Sequence, residues 1–179
     1  MFRENAMSAD NQQGRVRRLL DPWYVSGFVD GEGSFHIAIS KDQTMKTGIK
    51  IIPEFHVSQR VTSKLVLDAL VDFFECGYVK PNHRTNPKDV TMVYVVRDRN
   101  DLLTKIIPFF ERYPLYTEKA KDFTIFAEVV KMMQFNEHLQ IDGVQRIISL
   151  AYSMNGSGRY RKRPQQILEN PQRLHVKVQ

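Results

Sequence analysis

Two consecutive runs of alternating side chains restrict this chain more than any other feature. From Phe35, the apolar Phe35, Ile37 and Ile39 alternate with His36, Ala38 and Ser40; from Ile49, a second run sets Ile49, Ile51, Phe55 and Val57 against Lys50, Ile52, Glu54, His56 and Ser58. A period of two sends alternate residues to opposite faces of a strand, so each run buries one face and leaves the other for water or a partner. The link containing Gly48 joins them as a hairpin. Helical spacing then takes over at Leu65, Val66, Leu70, Val71 and Phe74, with Thr62 placed to cap a helix through Glu75 and Gly77 placed to stop it. A second strand pair follows, Tyr78 to Lys80 and Val90 to Arg97. Asn100 opens a helix that Pro108 interrupts, Thr117 opens another through about Gln134, and Asp142 opens a third ending near Asn155.

Ahead of the first strand, Asp21 and Pro22 form an N-cap and first-turn proline, and Trp23, Tyr24, Phe28 and Val29 supply apolar material for a short helix that Gly31 and Gly33 should end. The order becomes α-β-β-α-β-β-α, an α+β fold with a four-stranded antiparallel sheet and helices on one face. The outward face, rich in His, Lys, Glu and Ser, suits either solvent or a polar partner. Gly27 and Gly31 stand four apart beside the small Ser26, so another backbone can approach closely there, from a second helix or from the chain's own sheet. Glu32 falls where helix gives way to strand, at the rim of the outward face. Its carboxylate and the neighbouring Gly31 carbonyl are hard oxygen ligands suited to Mg²⁺, which takes few protein oxygens and leaves the rest to water and phosphate. That combination suits phosphate-ester hydrolysis, although DGEG is also an ordinary turn sequence.

Composition narrows the partners. The 179 residues carry 26 Lys and Arg against 20 Asp and Glu, a net charge of +6, and a pI near 9.5, which favours a polyanion. One cysteine, Cys76, excludes an internal disulfide framework and a cysteine-rich zinc site; with Phe73, Phe74 and Tyr78 beside it, it reads as a buried thiol in a reducing compartment. No apolar run is long enough to cross a bilayer, and residues 1–20 lack an apolar signal-peptide centre, so an intracellular protein with no membrane partner is expected, cytoplasmic or organellar. Arg15, Arg17 and Arg18 would suit a transit peptide; Glu4 and Asp10 count against one. The expected organisation is a disordered or extended tail over 1–20, one domain over 21–170 and a C-terminal tail over 171–179.

The stretch VSGFVDGEGSF, after the Pro22-Trp23-Tyr24 helix start and before an alternating strand, resembles the signature of the LAGLIDADG homing endonucleases. Val25 to Gly33 would be the nine-residue motif, with Val and Ser in place of its leading Leu and Ala. FHVSQ at Phe55 to Gln59, LDALVDFF with its following GYV, the PFF near Pro108, TEKAKDF and MNGSGRYRKR fall in the order expected for that family, covering roughly residues 21–165. The resemblance implies a saddle-shaped sheet over double-stranded DNA. With a single motif copy in these residues, it implies a homodimer packed through the motif helices at Ser26, Gly27, Asp30 and Gly31, a Glu32 from each subunit near the twofold axis, and a pseudo-palindromic target.

Carried over residue by residue, the resemblance makes Glu32 the metal-binding acid and Gly31 the residue whose carbonyl joins it, with Mg²⁺ as the ion and Mn²⁺ or Ca²⁺ able to occupy the site. Asp30 matches an earlier motif acid with a more structural role. Gln59 matches a polar residue that orders water near the scissile phosphate, and Lys119, or Lys121 two residues on, matches an active-site lysine. A basic residue often found four after the glutamine is missing, because Ser63 stands there; Lys64 or Arg60 could substitute. In the major groove, where all four base pairs can be told apart, the expected readers are His36, Ser40, Lys50, Glu54, His56, Lys80, Asn82 and Arg84. His36 and His56 lack a third ligand for a zinc site. Arg159, Arg161, Lys162 and Arg163 suit phosphate contacts. A maturase, binding intron RNA on the same fold, and a DNA-binding regulator without catalysis are the competing expectations. The five histidines form no His-Asn-His pattern. Without flanking splice-domain sequence, an intron-encoded or free-standing enzyme is expected over an intein.

Overall fold

A computed structural model describes residues 20–83 and 90–155. Apart from Leu20, the expected tails lie outside these residues, as do the proposed domain end at 170 and Arg84, Arg159, Arg161, Lys162 and Arg163. Asp21 starts the fold as its sequence suggests: its Oδ1 accepts from Trp23 N at 2.8 Å and Tyr24 N at 3.3 Å, and Pro22 occupies the first turn of α1 (Pro22–Glu32). The helix runs through Gly31, which does not end it, to Glu32, with Gly33 as the capping residue in extended backbone. Glycine is required at 33 for space: a Cβ there would lie 2.5 Å from Val29 Cγ1 and 2.7 Å from Val29 O.

The chain then enters the sheet directly. Strands β1 (Gly33–Lys41), β2 (Ile49–Arg60), β3 (Tyr78–Pro81) and β4 (Thr91–Val96) pair antiparallel in the order β1-β2-β4-β3. Register sets Phe35 opposite Phe55 and Phe55 opposite Val96, so the alternating apolar sets meet on one face. There the Phe35 ring lies 5.2 to 5.5 Å from the rings of Phe55, Phe110, Phe123 and Phe126, joining the sheet to the helices in one core. Cys76 is buried as expected, its Sγ 3.8 Å from the Tyr94 hydroxyl, which donates to Cys76 O at 3.0 Å.

Helix boundaries depart from expectation where caps were inferred. Thr62 sits in a 3₁₀ turn (Val61–Ser63) before α2 (Lys64–Phe74) and caps nothing; Val61 N instead donates to Val90 O at 2.7 Å. The helix closes with Glu75 in the left-handed region and Gly77 at φ +75°, beneath Tyr94. Asp98, not Asn100, caps the next helix, accepting from Asp101 N at 3.0 Å. This helix, α3, consists of an α-helical turn (Arg99–Asp101), a π-helical stretch (Leu102–Ile106) and a second α-helical segment (Ile107–Arg112). The wider coil ahead of Pro108 accommodates a residue with no N–H and a ring that crowds the preceding turn, so the proline does not break the rod. Thr117 stands just ahead of α4 (Lys119–Gln134), whose N-cap is Glu118, and its Oγ1 accepts from Lys119 N at 3.3 Å. A 3₁₀ turn (Glu137–Leu139) leads to α5 (Ile141–Tyr152), with Asp142 inside its first turn instead of before it. No helix among the described residues is long and apolar enough to cross a membrane.

Candidate functional site

Glu32 is the last residue of α1, and β1 begins at the next position, so the fold holds the carboxylate at the junction of helix and sheet. It is exposed and has no hydrogen-bond or ion-pair partner among the described residues. Lys119 approaches the same junction from the first turn of α4: its Nζ donates to Asp30 O and Gly31 O, each at 2.7 Å. Here a cation meets the negative end of a helix dipole. Lys121 is exposed, and Lys119 is the lysine whose ammonium reaches α1. The Gly31 carbonyl expected to hold a metal thus already accepts one bond, with a second lone pair remaining.

Gln59 lies one residue from the end of β2. Gly33 pairs with Val57, so Gln59 stands two residues further along the neighbouring strand, toward the helix that carries Glu32. It shares the parity of Phe55 and Val57, not that of the outward residues. Ser63, in place of the expected basic residue, is exposed and caps without a side-chain bond. Lys64 is committed to Asp68, with Nζ 2.7 Å from Oδ2, whereas exposed Arg60 has no side-chain partner among the described residues. Of the two substitutes, Arg60 is the one with an available charge.

On α1, two residues expected at a contact between chains face inward. Ser26 is only 3% exposed, and its hydroxyl donates to Tyr113 O at 3.0 Å, tying α1 to the loop after α3. Asp30 accepts from Tyr116 N at 2.8 Å and from Thr117 Oγ1 at 2.6 Å. Burial would raise its pKa, but the Thr117 hydroxyl, the two amides and the charge of Lys119 hold it below its ordinary value. Gly27 and Gly31 are exposed, and a Cβ at either would meet nothing within 4 Å. Together with half-exposed Tyr24 they leave a notched face on the helix.

Across the sheet, Ser34, His36, Ser40, Lys50, Ile52, His56, Ser58 and Lys80 share the outward parity. Ser40 and Lys50 are cross-strand partners near the hairpin tip, where Lys50 Nζ is 4.0 Å from Asp42 Oδ2. Asn82 is exposed just beyond β3 and its Nδ2 lies 3.2 Å from His83 Nδ1. Val93 and Val95 have the same parity and are buried outside the helix-side core, an apolar floor between the polar residues. Glu54, expected to project as a reader, is instead only 6% exposed: its Oε2 lies 2.9 Å from His56 Nε2 and its Oε1 pairs with Arg97 Nε. Arg97 was not foreseen as a site residue. Its signal was the period of two carried one step past β4, which assigns it the parity of Val93 and Val95.

No group of three or more His, Cys, Asp or Glu side chains is placed to hold a metal among the described residues. What the junction provides is one free carboxylate, a backbone carbonyl and a nearby ammonium. Such a sparse hard-oxygen set fits a divalent ion that draws its remaining ligands from water and phosphate, and not a self-sufficient protein cage.

Residues 25–130 match the LAGLIDADG endonuclease family. Among curated proteins, the chain is 32% identical to the probable intron-encoded endonuclease 3 of Neurospora crassa over 136 residues, 76% of this chain and 25% of that protein. The chain spans about a quarter of the length of several curated relatives it matches. Among solved structures, the homing endonuclease I-TnaI is 39% identical with a TM-score of 0.76, covering 85% of this chain and 98% of that one. The meganuclease I-SmaMI, bound to an uncleaved DNA target in the presence of calcium ions, is 29% identical with a TM-score of 0.71, covering 75% of this chain and 45% of that one. With more than half of its length inside the family match and the same sheet-and-helix architecture, the chain belongs to the LAGLIDADG endonuclease family.

Proposed function

We propose that this chain is a site-specific, intron-encoded DNA endonuclease that acts as a homodimer on a long pseudo-palindromic site and cuts both strands by metal-dependent hydrolysis. The observation that carries the proposal is the placement of Glu32: an exposed carboxylate without a protein partner among the described residues, at the helix–sheet junction, beside an ammonium held on the same helix end. Glu32 and the Gly31 carbonyl would hold Mg²⁺, with Mn²⁺ or Ca²⁺ as substitutes. When bound, such an ion activates water and stabilises the leaving oxygen of a phosphodiester. Lys119 offers positive charge to a phosphate drawn in beside α1, and Gln59 supplies an amide to orient water at the strand end. Each copy of these residues brings one Glu32, so two cuts call for two copies, meeting along the notch at Gly27 and Gly31. His36, Ser40, Lys50, His56, Lys80 and Asn82 would face the groove.

Selection of cleaved duplexes from a randomised DNA library in Mg²⁺ tests activity, symmetry and specificity together. The expected product is a set of cut sites related by a dyad. Glu32→Gln should abolish cutting while DNA affinity remains; undiminished cutting by that variant sinks the assignment. Specific DNA binding without cutting by the unsubstituted protein favours the regulator, a role with which Ser63 is compatible, and preference for intron RNA favours the maturase.

A further inference from the structure

Glu54 is the one buried carboxylate among the described residues, and it lies on the sheet face turned away from the helices. A carboxylate withdrawn from water is tolerated only where opposite charge and hydrogen bonds offset the lost hydration. On a face offered to a polyanion, it would also repel any phosphate it met. Both difficulties are resolved by its neighbours. Register places His36 opposite Glu54 on β1, and because Phe55 pairs with Val96, Arg97 falls opposite Glu54 on the other flank. One carboxylate oxygen pairs with Arg97 Nε and the other lies 2.9 Å from His56 Nε2. Burial would raise the Glu54 pKa, but His56 and Arg97 beside it hold it below the ordinary value.

Arg97 is left half in solvent, its side chain 42% exposed, and its pairing with Glu54 runs through Nε. It follows β4, an inner strand between β2 and β3, and so rises from the middle of the sheet and not from its outer edge. A guanidinium anchored through Nε has lost most of its rotamer freedom, and its remaining amines form a planar fork. That fork matches O6 and N7 of guanine in the major groove. Resting on the DNA-binding role proposed for this face, we infer that Arg97 selects a guanine in each half-site and that Glu54 is its positioning residue, buried so that it aims the fork without meeting the DNA.

The test is selection of bound duplexes from a randomised double-stranded DNA pool in Ca²⁺, using the full chain and two variants, Arg97→Gln and Glu54→Gln, each confirmed as folded by its thermal transition. The full chain should require guanine at one position per half-site. Both variants should lose that preference by roughly tenfold or more, as expected for a broken bidentate pair, while preferences at other positions stay. If instead both variants weaken binding to all sequences alike and flatten the salt dependence, Arg97 contacts phosphate and the inference is overturned. An unchanged base profile in both variants overturns it equally, with the DNA-binding role intact; failure of the unsubstituted chain to retain any duplex overturns both. Should Glu54→Gln fail to fold, the Arg97→Gln profile alone decides whether guanine selection resides in Arg97.

Discussion

Asp30 and Glu32 are two residues apart yet do opposite work. Glu32 ends α1 facing solvent, whereas Asp30 turns back to receive the start of α4, 87 positions later. Replacing Asp30 with Asn would remove the charge and one acceptor from a three-donor site, so a loss of about 1–2 kcal/mol is expected in urea unfolding. Lys119, which bonds the Asp30 and Gly31 carbonyls, should lose its fixed position as well, and with the proposed nuclease activity a lower cleavage rate is expected. The pH dependence follows from the depressed folded-state value. The contribution of Asp30 is complete above its ordinary value of 3.8 and is lost as pH falls through the lower folded value, so stability below pH 3.8 should fall more steeply in the native chain than in Asp30→Asn. Equal slopes would show that the Asp30 bonds contribute nothing. The exposed position of Glu32 was legible because it depends only on where one local pattern yields to another. The inward turn of Ser26 and Asp30 was not, because their partners at Tyr113, Tyr116 and Thr117 come from the far half of the chain.

Glycines in and after α1 separate two kinds of constraint at the level of the element. Gly27→Ala adds a Cβ into open space and removes a poor helix former, so the isolated subunit should gain up to about 1 kcal/mol. The same methyl would obstruct a second helix, and self-association measured by sedimentation equilibrium should weaken. Tighter or unchanged association would exclude this face as the contact. Gly33→Ala should instead lower subunit stability by about 1–3 kcal/mol, because Val29 already fills the space. The alternation of β1 and β2 was readable since period two is imposed by the strand itself. Element ends were less so: Gly31 adopts ordinary helical backbone, and the π-helical stretch before Pro108 carries the rod past a residue that normally stops one.

At the scale of the whole molecule, the proposed dimer sets its two sheets along one duplex, and binding should be strongly electrostatic. If the pair neutralises about ten phosphates, log affinity should fall with log salt at a slope near about −9, measurable by fluorescence anisotropy over a salt series. A slope near zero would remove the phosphate contacts from the account.

Helix, hairpin, helix and hairpin followed from the sequence alone, as did the outward parity of the polar strand residues and the position of Glu32 at the junction, because each is written in short-range periodicity. Tertiary structure decided which polar groups are spent inside the subunit: Ser26 and Asp30 on the 113–117 loop, and Glu54 on Arg97. These pairings join residues far apart in the chain, and local pattern carries no information about which distant donor will arrive to meet a given polar group.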